Sequence, residues 1–395
     1  MIIKSIEIVL IGSGFYVCGG GKSDYGTILP AIFSFAKLNK IKVEIIIAIN
    51  TKNSIHNFSN KFNLLKKIVD TENLVNSKFI YCDGSPKTFL NMYKKSDGIV
   101  AGIISIPDHL HYEWSKALLK ANIPLLVVKP LTLRLCDSIK LLKLSQKKSI
   151  PIFVEFHKRF DKQIKFTKDS FQNGLIGIPL YSHTEYTQKK EVPLNNFRSW
   201  AEMSNIFSYL GVHYVDVMRY VTNAIPKRVS ASGQKYFLKE EGLNTYDSIQ
   251  CNIEWVTSRK TFFNQIINCS WIESNKSSAM SKQDFHLIGT KGRLDCEQKE
   301  RGLKILTDNN HLEEVNPDFS KIYSFKDSYI FEGYGIESIN TYLSNIYFER
   351  DYQKDKRICD VKESLYSTSV IEAAFKSLKD NSNWIDINSM QKESH

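Results

Sequence analysis

The first third of the chain alternates short apolar runs with segments of helical periodicity, and this alternation constrains the fold more than any other feature. The apolar runs of strand length are 6–11, 43–49, 78–81, 98–104 and 124–128. Helical patterns occupy 28–40 and 111–121. Short apolar strands joined by helices are typical of a parallel sheet that is covered on both faces. The sequence therefore predicts an α/β chain that begins with a doubly wound parallel sheet.

The pattern changes after about residue 150. One more strand-like run, 151–156, precedes helical patterns at 160–173 and 207–222. The extended segments that follow are 228–239, 248–257, 262–271, 283–288 and 302–306. Several of them alternate polar with apolar residues, which is typical of an antiparallel sheet with one open face. Gly289 to Gly292 has the composition of a hairpin turn, and helical patterns at 335–348 and 362–378 close the chain.

Composition narrows the class of protein. The 395 residues include 53 Lys and Arg against 42 Asp and Glu, a net charge of +11. This excess either attracts anionic ligands or reflects lysine that is simply scattered along the chain. A basic helix, an aromatic RNA-binding motif and a zinc finger are all absent from the sequence, which argues against a nucleic-acid partner.

The seven cysteines form neither a CxxC pair nor a zinc-ligand spacing, so we predict no metal site and small buried thiols in a reducing compartment. The N-terminus does not have the pattern of a signal peptide, and no apolar run has the length that spans a bilayer. We expect a cytoplasmic protein without a membrane partner.

Gly12 and Gly14 follow the first strand two residues apart, as a tight turn beneath a pyrophosphate requires, and Phe15 comes next. Val17 stands where a third glycine would complete the motif, and a loop over 18–27 precedes the next helix. A Gly-x-Gly pair is a weak signal by itself because ordinary turns contain it, but its position after a first strand favours dinucleotide binding. The inserted loop either wraps the cofactor phosphates, projects toward a substrate or is a plain surface loop.

The end of the second strand is where a dinucleotide's adenosine ribose would lie. Asn50, Thr51 and Lys52 occupy this place. Asn50 can bind a hydroxyl without repelling a phosphate, whereas Lys52 either pairs with a 2′-phosphate or is a solvated turn residue. The choice between NAD and NADP stays open.

Two further groups have the residue types of proton-transfer chemistry. Lys129 and Pro130 directly follow the strand at 124–128, and Gly211-x-His213-x-x-Asp216 falls in a predicted helix. A lysine in such a place can stabilise negative charge on a reacting oxygen, although most lysines are solvated. His213 can shuttle a proton or be structural. Asp216 either orients His213, caps the helix or pairs with Arg219.

Together these elements resemble the glucose-fructose oxidoreductase, inositol dehydrogenase and rhizopine catabolism (Gfo/Idh/MocA) family. The strongest similarity is 105–131, followed by Gly211-x-His213-x-x-Asp216 and by 285–292. The resemblance implies a Rossmann domain, 1–131, and a substrate-binding and oligomerisation α/β domain, 132–390, with a large open, mostly antiparallel sheet. This division leaves open that a C-terminal helix packs back on the first domain. It also implies a homo-oligomer, a dimer or tetramer, formed through that sheet.

The resemblance assigns roles to individual residues. Lys129 would hold the reacting oxygen, and His213 would be the proton shuttle. The cofactor-binding set would be Gly12, Gly14, Phe15, Asn50, Thr51, Lys52, Ser105, Pro107, His109, His111, Lys129 and Pro130. The substrate-binding set would be Lys129, Arg159, Arg198, Trp200, Tyr209, His213 and Asp216.

Two positions depart from the family pattern. Val128 replaces the acidic residue before the lysine, and Tyr209 replaces an Asp four residues before the histidine. Spacing of four places Tyr209 and His213 on one face of an α-helix, so Tyr209 is a catalytic candidate as well as a candidate packed aromatic. Either the proton network is rewired or catalysis is weakened.

From the resemblance we expect hydride transfer between nicotinamide C4 and a hydroxyl or carbonyl carbon of a sugar or sugar derivative. The basic balance, Arg159 and Arg198 would suit an acidic or nucleotide-linked sugar, as in surface-glycan synthesis. Two alternatives remain open. One is a glycosidase or lyase that uses NAD for a transient oxidation, and the other is a non-catalytic sensor of dinucleotide and sugar.

Overall fold

The structure is a computed structural model that describes residues 5–20, 24–69, 73–308, 310–325 and 328–388. The chain forms two compact units. The first unit consists of Met1–Leu131, Lys140–Asp161 and Asp318–Lys362, and the second of Thr132–Ile139, Lys162–Pro317 and Glu363–His395. Residues 21–23 of the inserted loop and the C-terminal residues 391–395 lie outside the described part.

Eighteen strands are present in the described ranges. They are β1 (Ser5–Ile11), β2 (Lys42–Ile49), β3 (Val75–Tyr81), β4 (Ile99–Ile104), β5 (Leu125–Val128), β6 (Ile152–Glu155), β7 (Pro179–Lys189), β8 (Ile225–Gln234), β9 (Ser248–Val256), β10 (Phe262–Glu273), β11 (Ser281–Gly289), β12 (Gly292–Glu297), β13 (Leu303–Thr307), β14 (Asn310–Val315), β15 (Lys321–Phe325), β16 (Ser328–Glu332), β17 (Cys359–Asp360) and β18 (Ile385–Asp386).

The α-helices connect and cover these strands. They are α1 (Phe15–Cys18), α2 (Ile28–Asn39), α3 (Lys52–Val69), α4 (Pro86–Met92), α5 (His111–Lys120), α6 (Leu135–Lys148), α7 (Lys162–Gln172), α8 (Val212–Thr222), α9 (Phe237–Glu240), α10 (Tyr334–Tyr347) and α11 (Val361–Lys379). Short 3₁₀ turns occur at Asp108–Leu110, His157–Phe160 and Tyr352–Lys354, and π-helical turns at Val192–Asn196 and Phe207–Gly211.

The first unit contains a seven-stranded sheet in the order β17-β6-β5-β4-β1-β2-β3. All neighbours are parallel except the two-residue strand β17. The predicted doubly wound parallel sheet is thus confirmed. Strand β6 continues this sheet beside β5, and residues 318–362, which include helix α10, return to the same unit. The predicted boundary fell after residue 131 and left open that a C-terminal helix packs back on the first domain. A buried run as short as β6 carries no sequence signal for the sheet that it joins.

The second unit contains a seven-stranded sheet in the order β12-β11-β7-β10-β9-β8-β18. Only the central pair β7 and β10 is parallel, so the expected mostly antiparallel sheet is confirmed. Gly289 pairs with Gly292 across the predicted hairpin. Alternate residues of β9 and β10 enter a core with Trp255 and Trp271, and the other residues lie on an open face.

Several elements were missed or misjudged from the sequence. The elements that were not predicted include strands β7, β12 and β14 to β18 and helices α1, α3, α4 and α6. Strand β7 places the polar residues Ser182 and Thr184 in buried positions, so its sequence lacks the alternation of apolar and polar residues that predicts a strand. The extended segment predicted over 228–239 is wrong at its end, because β8 stops at Gln234 and α9 follows. The Asp247 carboxylate, ten residues downstream, accepts hydrogen bonds from the amides at the start of that helix, which stabilises it.

No helix of the described residues is both long and apolar enough to cross a membrane. Within the same ranges, no three His, Cys, Asp or Glu side chains are grouped as a metal site would need. All seven cysteines are free thiols, and six of them are buried.

Helix α10 is tied to the first sheet by one buried hydroxyl. Tyr342 donates to the carbonyl oxygens of Gly102 and Pro124, both at 2.9 Å. The hydroxyl of Tyr347, one and a half turns later on the same helix, is buried but has no hydrogen-bond partner among the described residues. Burial raises the pKa of both tyrosines.

These two tyrosines provide a matched stability test. Tyr342→Phe leaves two buried carbonyl oxygens with one partner fewer, so we expect it to lower the free energy of unfolding by about 1–3 kcal/mol. Tyr347→Phe removes an unpartnered buried hydroxyl and is expected to change the free energy of unfolding little or to raise it. Urea unfolding followed by tryptophan fluorescence measures both. Equal losses from the two variants would contradict the role assigned to the Tyr342 hydrogen bonds.

Candidate active site

The carboxyl edge of the first sheet collects most of the predicted cofactor residues. Parallel strands end at one edge, and open α/β sheets bind ligands there, where the strand order reverses, here between β1 and β4. The segments that follow the strands at this edge are 12–15 after β1, 50–52 after β2, 105–111 after β4, 129–130 after β5 and 156–159 after β6. The topology therefore brings together segments that are more than 140 positions apart, 12–15 and 156–159.

Gly12 occupies a backbone position that only glycine fits. Its φ is +107°, and a Cβ there would lie 2.1 Å from the carbonyl oxygen of Ser105. The amide of Ser105 donates to the carbonyl of Ile11 at 2.9 Å, which fixes the same close approach of β4 to β1. Gly14 begins the turn into α1, and a Cβ there would meet nothing within 4 Å. The turn thus leaves open space above exposed backbone, as a bound pyrophosphate requires.

The inserted loop explains the missing third glycine. Helix α1 has a single turn, and Val17 is fully buried in the core of the first unit. The loop then returns at Gly26, where a Cβ would lie 2.7 Å from the backbone nitrogens of Cys18 and Gly19. The Asp24 carboxylate accepts from the amides of Gly20 and Gly26 and closes the described part of the loop. In a complete glycine motif the third glycine lets the helix pack closely on the strand. In this chain the close backbone contact is instead between Gly26 and the end of α1.

Cys18 is not a reactive thiol. Its Sγ lies 3.2 Å from the carbonyl oxygen of Ser13, and burial raises the pKa of the thiol to about 11, with Lys61 acting in the opposite direction. It therefore serves as a packed residue behind the glycine turn.

Asn50 and Thr51 lie at the end of β2, as predicted. Asn50 is exposed, so its amide is accessible to a ribose. The Thr51 hydroxyl accepts from the amide of Ser54 at 3.2 Å and so caps α3. Lys52 begins α3, and its side chain lies outside the described part of the chain.

Lys129 is 9% exposed and follows β5 directly. The Lys129–Pro130 peptide bond is cis. The Pro130 carbonyl oxygen lies 2.7 Å from Nδ1 of His111, whose Nε2 lies 2.9 Å from the carbonyl oxygen of Ile106. His111 thereby ties the backbone beside the lysine to the loop after β4. Burial lowers the pKa of His111, and Lys129 acts in the same direction, whereas Asp108 and the two carbonyls favour the charged ring.

The remaining residues of the β4 loop stay close to that edge. Pro107 precedes the 3₁₀ turn, and Leu110 donates its amide to the Pro107 carbonyl oxygen at 3.0 Å. His109 is partly buried, and its Nδ1 has no hydrogen-bond partner among the described residues. This nitrogen is a candidate contact for a ligand at the sheet edge.

The end of β6 holds ionisable residues that were not assigned a role from the sequence. The carboxylate of Glu155 is fully buried, and its Oε2 lies 3.2 Å from Nδ1 of His157. The Tyr16 hydroxyl, from α1, lies 3.3 Å from the same nitrogen. Phe319 and Tyr334 pack against the His157 ring. The only sequence signal was a carboxylate that ends an otherwise apolar strand.

Arg159 does not occupy an open anion site. It is 2% exposed, and its guanidinium donates to the carbonyl oxygen of Ile358 at 3.2 Å within the first unit. The buried position of Arg159 and its backbone partner support a role in stabilising the first unit.

The second unit holds the other predicted residues on or near α8. His213 and Asp216 are buried on this helix, at 3% exposure each. Gln265 of β10 donates to the carbonyl oxygen of Tyr214 at 3.1 Å, and the Tyr214 hydroxyl donates to Gln298 at 2.5 Å. A Cβ on Gly211 would lie 2.4 Å from the Phe207 ring, so this motif glycine allows the helix start to pack closely.

Tyr209 is packed among aromatic rings. Its ring centroid lies 4.9 Å from that of Phe197, 5.8 Å from that of Trp200 and 6.1 Å from that of Trp271. It also lies in a π-helical turn, so the α-helical spacing that placed it on one face with His213 does not hold there. These contacts favour the packed-aromatic alternative for Tyr209.

Arg219 and Arg198 have partners of their own. Arg219 forms an ion pair with Glu363, with its Nε 3.0 Å from Oε1, and caps carbonyls at the end of α8. Arg198 is exposed and donates to the carbonyl oxygen of Glu241 at 3.0 Å. Trp200 packs on Phe197 at 4.6 Å. The structure thus brings Trp200 and Tyr209 into one cluster.

Comparison with protein-family models assigns both units. Residues 6–156 match the model described as "Oxidoreductase family, NAD-binding Rossmann fold", and residues 164–295 match the GFO/IDH/MocA C-terminal domain.

Individual relatives agree with these matches. The chain is 23% identical over 246 residues to a myo-inositol 2-dehydrogenase of Thermotoga maritima, covering 62% of this chain and 69% of that protein. It is 23% identical over 144 residues to a 2,7-anhydro-N-acetylneuraminate hydratase of Mediterraneibacter gnavus, covering 36% of this chain and 38% of that protein. A crystal structure of scyllo-inositol dehydrogenase from Lactobacillus casei with bound NAD(H) and scyllo-inositol shares the fold, with a TM-score of 0.67, 16% identity and coverage of 98% and 100%.

The two glycines of the turn are expected to respond differently to the same substitution. Gly12→Ala places a methyl group against the Ser105 carbonyl at a positive φ, so we expect a lower Tm and loss of NADH binding. Gly14→Ala adds its methyl group in open space, so the Tm is retained while NADH affinity falls about tenfold or more, because the methyl occupies the room above the turn. Thermal unfolding and NADH fluorescence measure both. Unchanged NADH affinity in both variants would contradict the assignment of this turn.

Proposed function

The chain belongs to the GFO/IDH/MocA family of oxidoreductases and carries its NAD-binding Rossmann domain, and from this we propose that it is a dehydrogenase or reductase for a CH–OH group on a sugar or cyclitol. The proposed reaction moves a hydride between the nicotinamide and a hydroxyl or carbonyl carbon. The choice between NAD and NADP is left to measurement, because Asn50 suits either cofactor.

The position of Lys129 carries this proposal. It lies at the carboxyl end of β5, on the same edge as the glycine turn, and is almost fully withdrawn from solvent. An ammonium group at a water-poor edge stabilises a developing alkoxide far better than a solvated one does. The His111 ring, packed between the carbonyl oxygens of Ile106 and Pro130, holds the adjoining backbone in place, so the lysine starts from a defined position.

When bound, the nicotinamide supplies the hydride acceptor or donor at its C4. The chain's own residues do the rest of the chemistry. We assign Lys129 to the reacting oxygen, where it stabilises negative charge and passes a proton. His213, on helix α8, which the Gln265 hydrogen bond anchors, is proposed as a proton shuttle. Tyr209 is left out of the proton path, because its aromatic contacts account for it.

A neutral polyhydroxylated ring is the substrate class that we favour. Arg159 and Arg198 each donate to a backbone carbonyl, so the argument for an acidic or nucleotide-linked sugar rests on the net charge alone. A relative named as a myo-inositol 2-dehydrogenase supports testing cyclitols first.

A second candidate function is supported by the relative named as a hydratase. An enzyme of this kind would use bound NAD for a transient oxidation and release no reduced cofactor. Incubation with candidate sugars distinguishes the two, because a dehydrogenase accumulates NADH in step with product, whereas a hydratase or lyase forms product with the cofactor unchanged. Binding of cofactor and sugar without any product would instead favour the sensor alternative.

Lys129→Met removes the ammonium and keeps an unbranched side chain of similar length. We expect kcat to fall at least 100-fold, on the order expected for loss of an acid–base group, while NADH affinity changes less than about threefold. Lys120→Met, an exposed lysine at the end of α5, is the matched control and should retain activity. Stopped-flow and steady-state assays with myo-inositol and scyllo-inositol provide the measurement. Full turnover by the Lys129 variant would remove the lysine from the mechanism.

We also propose that the chain forms a homo-oligomer through the open face of the second unit's sheet. This face carries Tyr181, Phe262 and Ile266 at 53%, 53% and 43% exposure, next to polar pairs such as His183 with Asn268. Such a mixture of exposed apolar and paired polar residues is typical of an interface.

Ile266→Glu places a charge in the middle of that face. We expect the particle mass from light scattering to fall toward that of one chain, because a carboxylate buried at an interface without a partner is costly. Leu38→Glu, at a 76% exposed position on α2, serves as the control and should leave the mass unchanged. A monomeric wild-type protein, or an Ile266→Glu variant with the same particle mass as the wild type, would contradict the proposed interface.

A further inference from the structure

Glu155 is a buried carboxylate for which the proposed mechanism has no use. It is the last residue of β6 and is 1% exposed. One carboxylate oxygen lies 3.2 Å from Nδ1 of His157, and the other is buried without a hydrogen-bond partner among the described residues. Buried polar atoms nearly always have a partner, and a half-satisfied carboxylate is costly to keep. Such a group needs an explanation other than stability.

Its register gives the explanation. Glu155 is the direct partner of Val128 across the parallel pair β5 and β6, and Val128 immediately precedes Lys129. Paired residues of neighbouring parallel strands point to the same face, and such strands lie about 4.8 Å apart. Val128 is also the position at which the sequence departs from the family's acidic residue. The negative charge missing from β5 is therefore present one strand away, on the same face of the sheet.

We propose that Glu155 supplies the buried negative charge of this site from β6 and that this charge favours binding of the oxidised, positively charged nicotinamide over the neutral reduced ring. The inference rests on the proposed function in one respect, the placement of the nicotinamide beside Lys129. It requires no direct contact, because a charge in a poorly solvated interior acts over several ångströms.

The surrounding groups set the background of this effect. His157 and Tyr16 contact the carboxylate or its partner nitrogen, and Lys158, Arg159 and Asp161 follow on the same segment and are buried. These groups contribute equally to cofactor binding in the wild type and in a variant at position 155. The difference between the two proteins therefore reports the charge of Glu155.

The test compares the dissociation constants of NAD⁺ and NADH, measured by calorimetry on the full chain. Glu155→Gln keeps the size of the side chain and an acceptor for His157 but removes the charge. We expect the dissociation constant of NAD⁺ to rise about tenfold more than that of NADH. The reason is the lost attraction between the carboxylate and the positively charged nicotinamide, taken at an effective dielectric constant of about 20. The phosphorylated pair NADP⁺ and NADPH replaces NAD⁺ and NADH if the chain binds that form.

Two further variants keep the test sharp. Glu44→Gln removes a carboxylate from β2 of the same sheet, where it pairs with Lys78 at 3.1 Å, and should leave the ratio of the two dissociation constants unchanged. Val128→Glu combined with Glu155→Gln returns a carboxylate to β5 and should restore the wild-type ratio to within about threefold. Thermal unfolding shows that each variant is folded.

The outcomes separate this inference from the catalytic proposal. Equal changes in both affinities in Glu155→Gln, or no change in either, would overturn it, as would a double variant with the same ratio as Glu155→Gln. Because only binding is measured, loss of turnover in Lys129→Met together with an unchanged ratio in Glu155→Gln would reject this inference alone. Retained turnover in Lys129→Met with a shifted ratio would reject the catalytic role alone.

Discussion

The close approach of two backbone segments at the end of β1 is the constraint on which the cofactor side of the molecule depends. Gly12 lies so near the Ser105 carbonyl that a hydrogen atom is the largest side chain that fits. The same approach lets Ser105 donate to Ile11 and continues the pairing of β1 with β4 past the last strand residues. This backbone contact lies where the strand order reverses, the place at which a crevice opens in a doubly wound sheet.

Polar contacts extend that constraint along the edge. The His111 ring lies between the carbonyl oxygens of Ile106 and Pro130, so the loop after β4 and the turn that follows β5 keep a fixed spacing beside Lys129. At the next strand, Glu155 and His157 join Tyr16 of α1. Buried polar groups with defined partners give a site its geometry, and this edge carries buried polar side chains after β4, directly after β5 and at the end of β6.

In the second unit, helix packing and aromatic contacts fix the positions of the candidate site residues. Helix α8 is held by the Gln265 and Tyr214 hydrogen bonds and by the glycine contact at Gly211, so His213 rests on a rigid element. The aromatic cluster around Tyr209 packs the π-helical turn that precedes this helix. The opposite face of the sheet stays open, and its alternation of polar and apolar residues is what made the strands recognisable in the sequence.

The sequence alone determined the class of fold, the hairpin at Gly289 and the family, because hydrophobic periodicity and glycine spacing are local properties of the chain. It did not determine that β6, β15, β16 and β17 belong to the first unit, that Asp247 starts α9, or that Val17 is buried while a Cβ at Gly26 would meet the backbone of α1. Glu155 is the clearest example, because its importance comes from facing Val128 across two strands 27 residues apart. Only tertiary structure decides such relations, since strand register and packing distance join residues whose sequence separation carries no signal.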